Sequence, residues 1–416
     1  MRVGVVGSGG REHAMAWKVS QCIPGSDVFV LPGNGGTQNN IPVDMHNFEA
    51  VRRACQEHEM ELLLVGPEAP LANGIVDYFA GTGIRVFGPA KKAAQLESSK
   101  IWAKRFMRRH GVATAGFEVF NNPQAADNLI DDLEGNLVVK YDGLAGGKGV
   151  TVCHDVNEAR QALHTLEGTY GPSARFLIEQ RLFGSELSIL GVTDGKTIKL
   201  LLPSQDHKPL CDGDRGPNTG GMGAFCPVSG CNQETLDEIN ECVIEPTMKG
   251  LQDEGIGYCG FIYFGLMMTT DGPKLLEYNV RLGDPEAEVI LPALKTDLIR
   301  LVGSCYDGTL QNEAVAFHPG YYVDVVMASG GYPCEYATGH EIVGLDHASG
   351  DAWVFHAGTR RDGDRVLTAG GRVLNIVGRG EDLPAAITAT YAQCSCIHFE
   401  NMTYRKDIGS RPWQLP

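Results

Sequence analysis

The opening ninety residues constrain this chain most. They alternate short apolar runs with stretches of mixed polarity, and the first three runs close on glycine- or proline-rich turns. Residues 2–6, 27–31, 61–65 and 84–87 read as strands, and residues 12–21 as a helix. Strands alternating with helices predict a parallel sheet covered on both faces. The turns GSGG, PGNGG and GPEAP fall at the C-terminal ends of the runs. Open parallel sheets gather their ligands at that edge.

The pattern changes after Pro89. Residues 93–110 suit one amphipathic helix, and residues 137–140 and 176–179 short strands. Between these strands lies the glycine-rich loop YDGLAGGKGV. Residues 260–269 are apolar and aromatic, and 274–278 follow after TTDGP, which predicts a buried hairpin. From about residue 319 the tail is rich in Val, Tyr and Gly with short strand signals, and predicts a third, small unit. With 416 residues the chain exceeds one ordinary core.

Composition narrows the function classes. The chain carries 35 basic and 51 acidic residues, a formal charge of -16, which disfavours a nucleic-acid binder. No apolar run approaches the roughly 20 residues of a membrane span. The first residues read as a strand and not a signal peptide. The twelve cysteines are scattered, with no C-x-x-C pair, and read as reduced thiols. A cytoplasmic protein without a membrane partner is the expectation.

The turn GSGGREHA follows a strand and opens a helix, and its backbone N–H groups suit a phosphate. Glu12 stands where the dinucleotide fingerprint has its last glycine, and the same turn can close a strand–helix junction without a ligand. In VVKYDGLAGGKGV, Lys140 ends an apolar strand and Lys148 lies among Gly143, Gly146, Gly147 and Gly149. Ammonium groups beside a glycine loop can close over a polyphosphate. The Walker spacing is absent. In FLIEQRLFGSELS, Glu179 and Glu186 can serve a nucleotide, but spacing alone favours solvated edge charges.

The segment KLLEYNVRLGDPEAE places Glu277, Asn279 and Arg281 at alternate positions, hence on one strand face. Carboxylate and amide oxygens are hard ligands suited to Mg²⁺. The bland alternative is an exposed face with an ion pair. Asp284, Glu286 and Glu288 fit a turn and helix start better than a metal site. The long polar stretch 204–225 offers Asp206, His207 and Lys208 as substrate-handling groups, His207 being first of all a structural histidine.

Taken in order, GSGGREHA, PGNGGT, GPEAPL, SQDHK, GPNTGGMGA and EYNVRLGDPEAE resemble one family of the ATP-grasp superfamily, glycinamide ribonucleotide synthetase, over essentially the whole chain. The resemblance implies an α/β protein of three parts. These are an N-terminal parallel α/β substrate domain (1–100), a central ATP-grasp domain of two subdomains (101–308, lid about 112–182) and a small C-terminal α+β domain (309–416). It implies phosphate contacts from Lys100 and Lys140, a closing loop around Lys148, an adenine hinge from Glu179 to Leu182, and Glu186 on the ribose. It implies Mg²⁺ or Mn²⁺ on Glu277 and Asn279. Arg281, Asp206 and Lys208 would face the reacting groups. Gly9, Gly10, Asn34, Gly36, Thr37, Pro67 and Glu68 would hold 5-phosphoribosylamine.

The implied activity, in purine biosynthesis, is ATP-dependent joining of glycine to 5-phosphoribosylamine through glycyl phosphate, by a monomer. One departure stands out: many ATP-grasp enzymes carry another acidic metal ligand on the preceding strand, and YFGLMM has none. The competing readings are another purine or biotin-carboxylase-like ATP-grasp enzyme, and a non-catalytic nucleotide or NAD module.

Overall fold

The computed structural model describes residues 1–146, 149–347, 352–411, 413 and 415. The first unit is the expected parallel sheet. Strands Val28–Pro32, Arg2–Gly7, Met60–Val65 and Arg85–Phe87 lie in that order, all parallel. Alternation fills both faces. Val3, Val5, Leu62 and Leu64 enter one core, with Met15 and Val19 of helix Gly10–Ser20. Val6, Leu63 and Val65 enter the other, with Val51 and Cys55 of helix Phe48–Glu57. Buried on both faces, such strands read as near-continuous apolar runs.

The second unit has its own core. Strands Phe117–Phe120, Phe176–Gln180, Leu137–Tyr141 and Val150–Val152 form an antiparallel sheet in that order. Leu137, Val139, Phe176 and Ile178 pack on Ala159, Leu163 and Leu166 of helix Val156–Tyr170, apart from the two larger cores. A third sheet, also antiparallel, runs Ile198–Leu200, Ser185–Thr193, Gly260–Thr269, Gly272–Asn279. Its last two strands are the expected hairpin, paired from Tyr263–Asn279 to Thr269–Gly272.

Residues 93–110 do not form the single helix expected from their periodicity. Helix Gln95–Ser98 ends at Ser99, which is extended (φ -133°, ψ 106°), and helix Lys100–His110 starts afresh. The Ser99 hydroxyl caps the new helix by accepting from Trp102 N–H. Serine competes with the helical backbone for hydrogen bonds and favours a cap over a helix interior.

The C-terminal sheet is not built from the tail alone. Its order is Gln205–Asp206, Gly223–Cys226, Tyr321–Ser329, Arg372–Gly380, Ala352–His356. Two strands therefore come from the polar stretch that precedes it. Helix Leu383–Cys396, capped by Asp382, covers this sheet through Ala386 and Thr390, whose hydroxyl donates to Val323 O. No helix among the described residues is long and apolar enough to cross a membrane.

Candidate active site

A cleft of about 990 Å³ is lined from the two antiparallel sheets and the C-terminal sheet, with Arg11, Pro67 and Glu68 added from the helix and turns of the N-terminal unit. In strand Leu137–Tyr141, Leu137 and Val139 enter the small core, while Val138 and Lys140 face the cleft, as a period of two requires. Lys140 Nζ lies 3.0 Å from Glu179 Oε2, and Lys104 Nζ lies 3.0 Å from the same oxygen. Lys104 also donates to Thr114 Oγ1 at 2.6 Å. Burial pulls the Lys104 ammonium down to about 8, against the opposing pull of Glu179. Lys100 donates to Gly143 O at 3.0 Å. Gly146, Gly149, Leu182 and Glu186 line the same cleft. Gly147 and Lys148 lie outside the described residues.

Glu277 and Asn279 both face this space. Burial works to raise the Glu277 carboxyl, but Lys208, Lys140, Lys100 and Arg281 together hold it below its usual range. The strand ends at Asn279 and does not continue through Arg281, because Val280 N–H donates to Glu97 Oε2 at 2.8 Å. Arg281 still reaches the Asn279 side, donating to Asn279 Oδ1 at 3.1 Å. Its guanidinium lies 2.8 Å from Glu97 and 3.4 Å from Glu68. Opposite Glu277 on the neighbouring strand stands Gly265, so no second carboxylate is offered there. Among the described residues no cluster of three or more His, Cys, Asp or Glu side chains is arranged to hold a metal ion. Two hard oxygens in a cation-rich cleft fit Mg²⁺, which keeps waters and takes further ligands from phosphates.

Asp206, His207 and Lys208 meet the cleft together with Glu286. Burial and the neighbouring Glu286 push the Asp206 carboxyl well up. Glu186 (3.1 Å) pushes the Lys208 ammonium well up against its burial. His207 packs against Phe225, and burial lowers it to about 4, so it is a neutral histidine. Helix Glu286–Ala293 starts where the acidic run predicts a helix start. Its first residue, Glu286, accepts from Ser188 Oγ at 2.9 Å.

The N-terminal turns divide. Pro67 and Glu68 line the cleft, while Gly9, Gly10, Asn34, Gly36 and Thr37 are not part of its wall. Gly9 N–H is taken by Glu12 Oε2 at 2.6 Å, inside the turn itself. Asn34 donates to Ser8 O and His356 O, and accepts from Gly36 and Thr37 N–H. A turn whose amide is capped by its own carboxylate is not prepared for the pyrophosphate of an NAD module.

Sequence reasoning missed Glu97, Lys104, Arg11, Arg372 and Trp413, all of which line the cleft. Lys104 carried a usable signal, standing four residues after Lys100 on one helix face. Trp413 donates to Glu186 O at 3.0 Å from a distant part of the chain, and no local pattern announces such a contact.

The family models of phosphoribosylglycinamide synthetase match the chain as N domain (residues 1–97), ATP-grasp (A) domain (98–287) and C domain (322–411). A phosphoribosylamine–glycine ligase of Rhodopirellula baltica is 42% identical, over 98% of this chain and 97% of that protein. The chain belongs to the phosphoribosylglycinamide synthetase family. The trifunctional purine biosynthetic protein adenosine-3 of Gallus gallus is 46% identical over 99% of the chain, which spans 42% of that longer protein. A solved phosphoribosylamine–glycine ligase of Thermotoga maritima superposes with a TM-score of 0.84 at 36% identity, over 98% of this chain and all of that one. The lysine and glutamate cleft lies largely in the segment matched by the ATP-grasp domain.

Proposed function

We propose that this chain joins glycine to 5-phospho-D-ribosylamine, converting ATP to ADP and phosphate and forming glycinamide ribonucleotide for purine synthesis. One observation carries the reading. A single cleft brings Lys100, Lys140, Glu277 and Asn279 together with Arg281, Asp206, Lys208 and Glu68. A nucleoside triphosphate, a small carboxylate and an amine can therefore meet in one enclosure.

The glycine carboxylate oxygen attacks the γ-phosphorus, a P–O bond forms, and ADP leaves. Positioning and charge neutralisation do most of this work. Lys140 and Lys100 place ammonium groups beside the polyphosphate. Arg281, held by Glu97 and Glu68, presents a fixed guanidinium to the transferred phosphoryl group. Glu277 and Asn279 would hold Mg²⁺ or Mn²⁺, which when bound neutralises phosphate oxygens. The amine nitrogen then attacks the acyl carbon of glycyl phosphate, and phosphate leaves. Lys208, kept charged by Glu186, faces the same space and steadies the anionic groups. Glu179, Leu182 and Glu186 border the base and ribose, with Gly143, Gly146 and Gly149 near the phosphates.

The test is ADP release with ATP and glycine, with and without 5-phosphoribosylamine. Turnover should need both, with slow ATP loss when the amine is missing. Equal turnover with an unrelated amine would remove the substrate assignment.

A further inference from the structure

We infer that Arg372, which lies in the segment matched by the C domain, binds an oxyanion of the substrate, either the glycine carboxylate or the ribose phosphate. The inference rests on the proposed ligase reading and names a binding residue for it.

Arg372 begins the strand Arg372–Gly380, yet its side chain lines the cleft. One nitrogen, Nη1, is fully engaged. It donates to Gly220 O at 2.7 Å and Asp284 O at 3.1 Å, and lies 3.1 Å from Asp284 Oδ1. Tyr332, from the same part of the chain, accepts from Gly220 N–H at 3.1 Å. Two side chains of the C-terminal segment thus clamp both backbone groups of one glycine in the polar stretch. A side chain at this point would crowd the clamp, because a Cβ at 220 would stand 3.0 Å from Arg372 Cζ.

This clamp fixes the guanidinium plane without using all of it. None of the hydrogen bonds made by Arg372 among the described residues uses Nε or Nη2. These two donors form one edge of the planar fork, the edge that pairs with a carboxylate or phosphate. The ion pair with Asp284 keeps the group charged against burial. Asp206, which lines the cleft with Asp284, is itself biased towards its neutral form by burial and Glu286. The internal ion pair is confined to Nη1, and the opposite edge of the immobilised, charged fork is left for an incoming oxyanion.

Calorimetric titration of the whole protein and of Arg372→Gln tests this without turnover, using glycine, ribose 5-phosphate and Mg²⁺-ATP as separate probes. Arg372→Gln should weaken either glycine or ribose 5-phosphate by about tenfold or more, the loss expected of a charge-assisted contact, with ATP affinity held within about twofold. Loss confined to glycine identifies the carboxylate, and loss confined to ribose 5-phosphate the phosphate. Arg372→Lys keeps the charge without the fork and should show a partial loss, which covers a glutamine variant that fails to fold. Unchanged affinity for both anions in a folded variant overturns the inference, as does an equal loss for all three probes. Absence of ligase turnover in the unaltered protein would instead count against the proposed reaction, leaving these affinities to decide the anion site.

Discussion

At Glu277 four cations converge on one carboxylate, from Lys208, Lys140, Lys100 and Arg281. Removing its charge leaves those cations without their shared counter-ion and takes one hard oxygen ligand from the cleft. We predict that Glu277→Gln lowers kcat by about 10²–10³ while the fold survives, since no core cavity is created. Mg²⁺ should also cease to tighten ATP binding, read by calorimetry with the ion and with a chelator. A folded variant with near-normal, Mg²⁺-dependent turnover would defeat the assignment, because Gly265 opposite offers no substitute ligand. At this scale the sequence was informative wherever placement follows from local spacing, as with Glu277 and Asn279, which both face the cleft. It was silent where a role is set by a remote partner. Glu97 meets Val280 and Arg281, and Arg372 meets Gly220, across stretches of chain that share no periodicity.

Among the elements, the break at Ser99 places Lys100 at the first turn of a helix, next to the glycine-rich loop. Ser99 Oγ accepts from Trp102 N–H at 3.1 Å and donates to Asp142 Oδ1 at 2.8 Å, and Ile101 N–H reaches the same Asp142 oxygen. Ser99→Ala removes the cap and should cost about 1 kcal/mol. Because Lys100 Nζ is tied to Gly143 O, the KM for ATP should rise as well, and Ser99→Thr should restore both. A destabilised protein with an unchanged KM would show that the cap serves the helix alone. The apolar periodicity of 93–110 was genuine, since both short helices bury their apolar sides against the large core. What periodicity cannot report is that a capping hydroxyl outcompetes one turn of helix. The parallel strands and the hairpin were legible because two-sided burial and a turn signal leave little choice of element.

At the scale of the molecule, the N-terminal unit and the C-terminal sheet meet on a seam of rings. Trp17 stands edge-on to Trp353 and Phe355, and His13 packs against Phe355 and His356. His356 N–H donates to His13 Nδ1 at 2.8 Å. Burial, then the charge of His356, lowers His13 to about 3. Burial, then Arg361, lowers His356 to about 4. Both folded values lie below the unfolded value near 6.5, so the unfolded chain binds more protons in between. Stability from this pair is therefore present above about pH 6.5 and is lost as the pH falls toward 4. Up to about 2 kcal/mol per histidine should disappear by pH 5. Urea titrations at pH 7 and pH 5 should show a smaller difference for His13→Gln than for the unaltered protein, and equal differences would exclude the seam as the source. Nothing in the sequence announces this seam, because ring contacts between distant segments leave no local pattern.

The strand Gly223–Cys226 pairs with Tyr321–Ser329, roughly a hundred residues farther along. On a ribosome, at about 5–20 residues per second, that partner emerges on the order of 5–20 s later. During that interval the nascent chain carries an unpaired strand edge and a half-built cleft wall. The nucleotide pocket is thus completed only near the end of synthesis. A chain truncated before Tyr321 would leave the ribosome with that edge open, a template for aggregation as well as an incomplete enzyme.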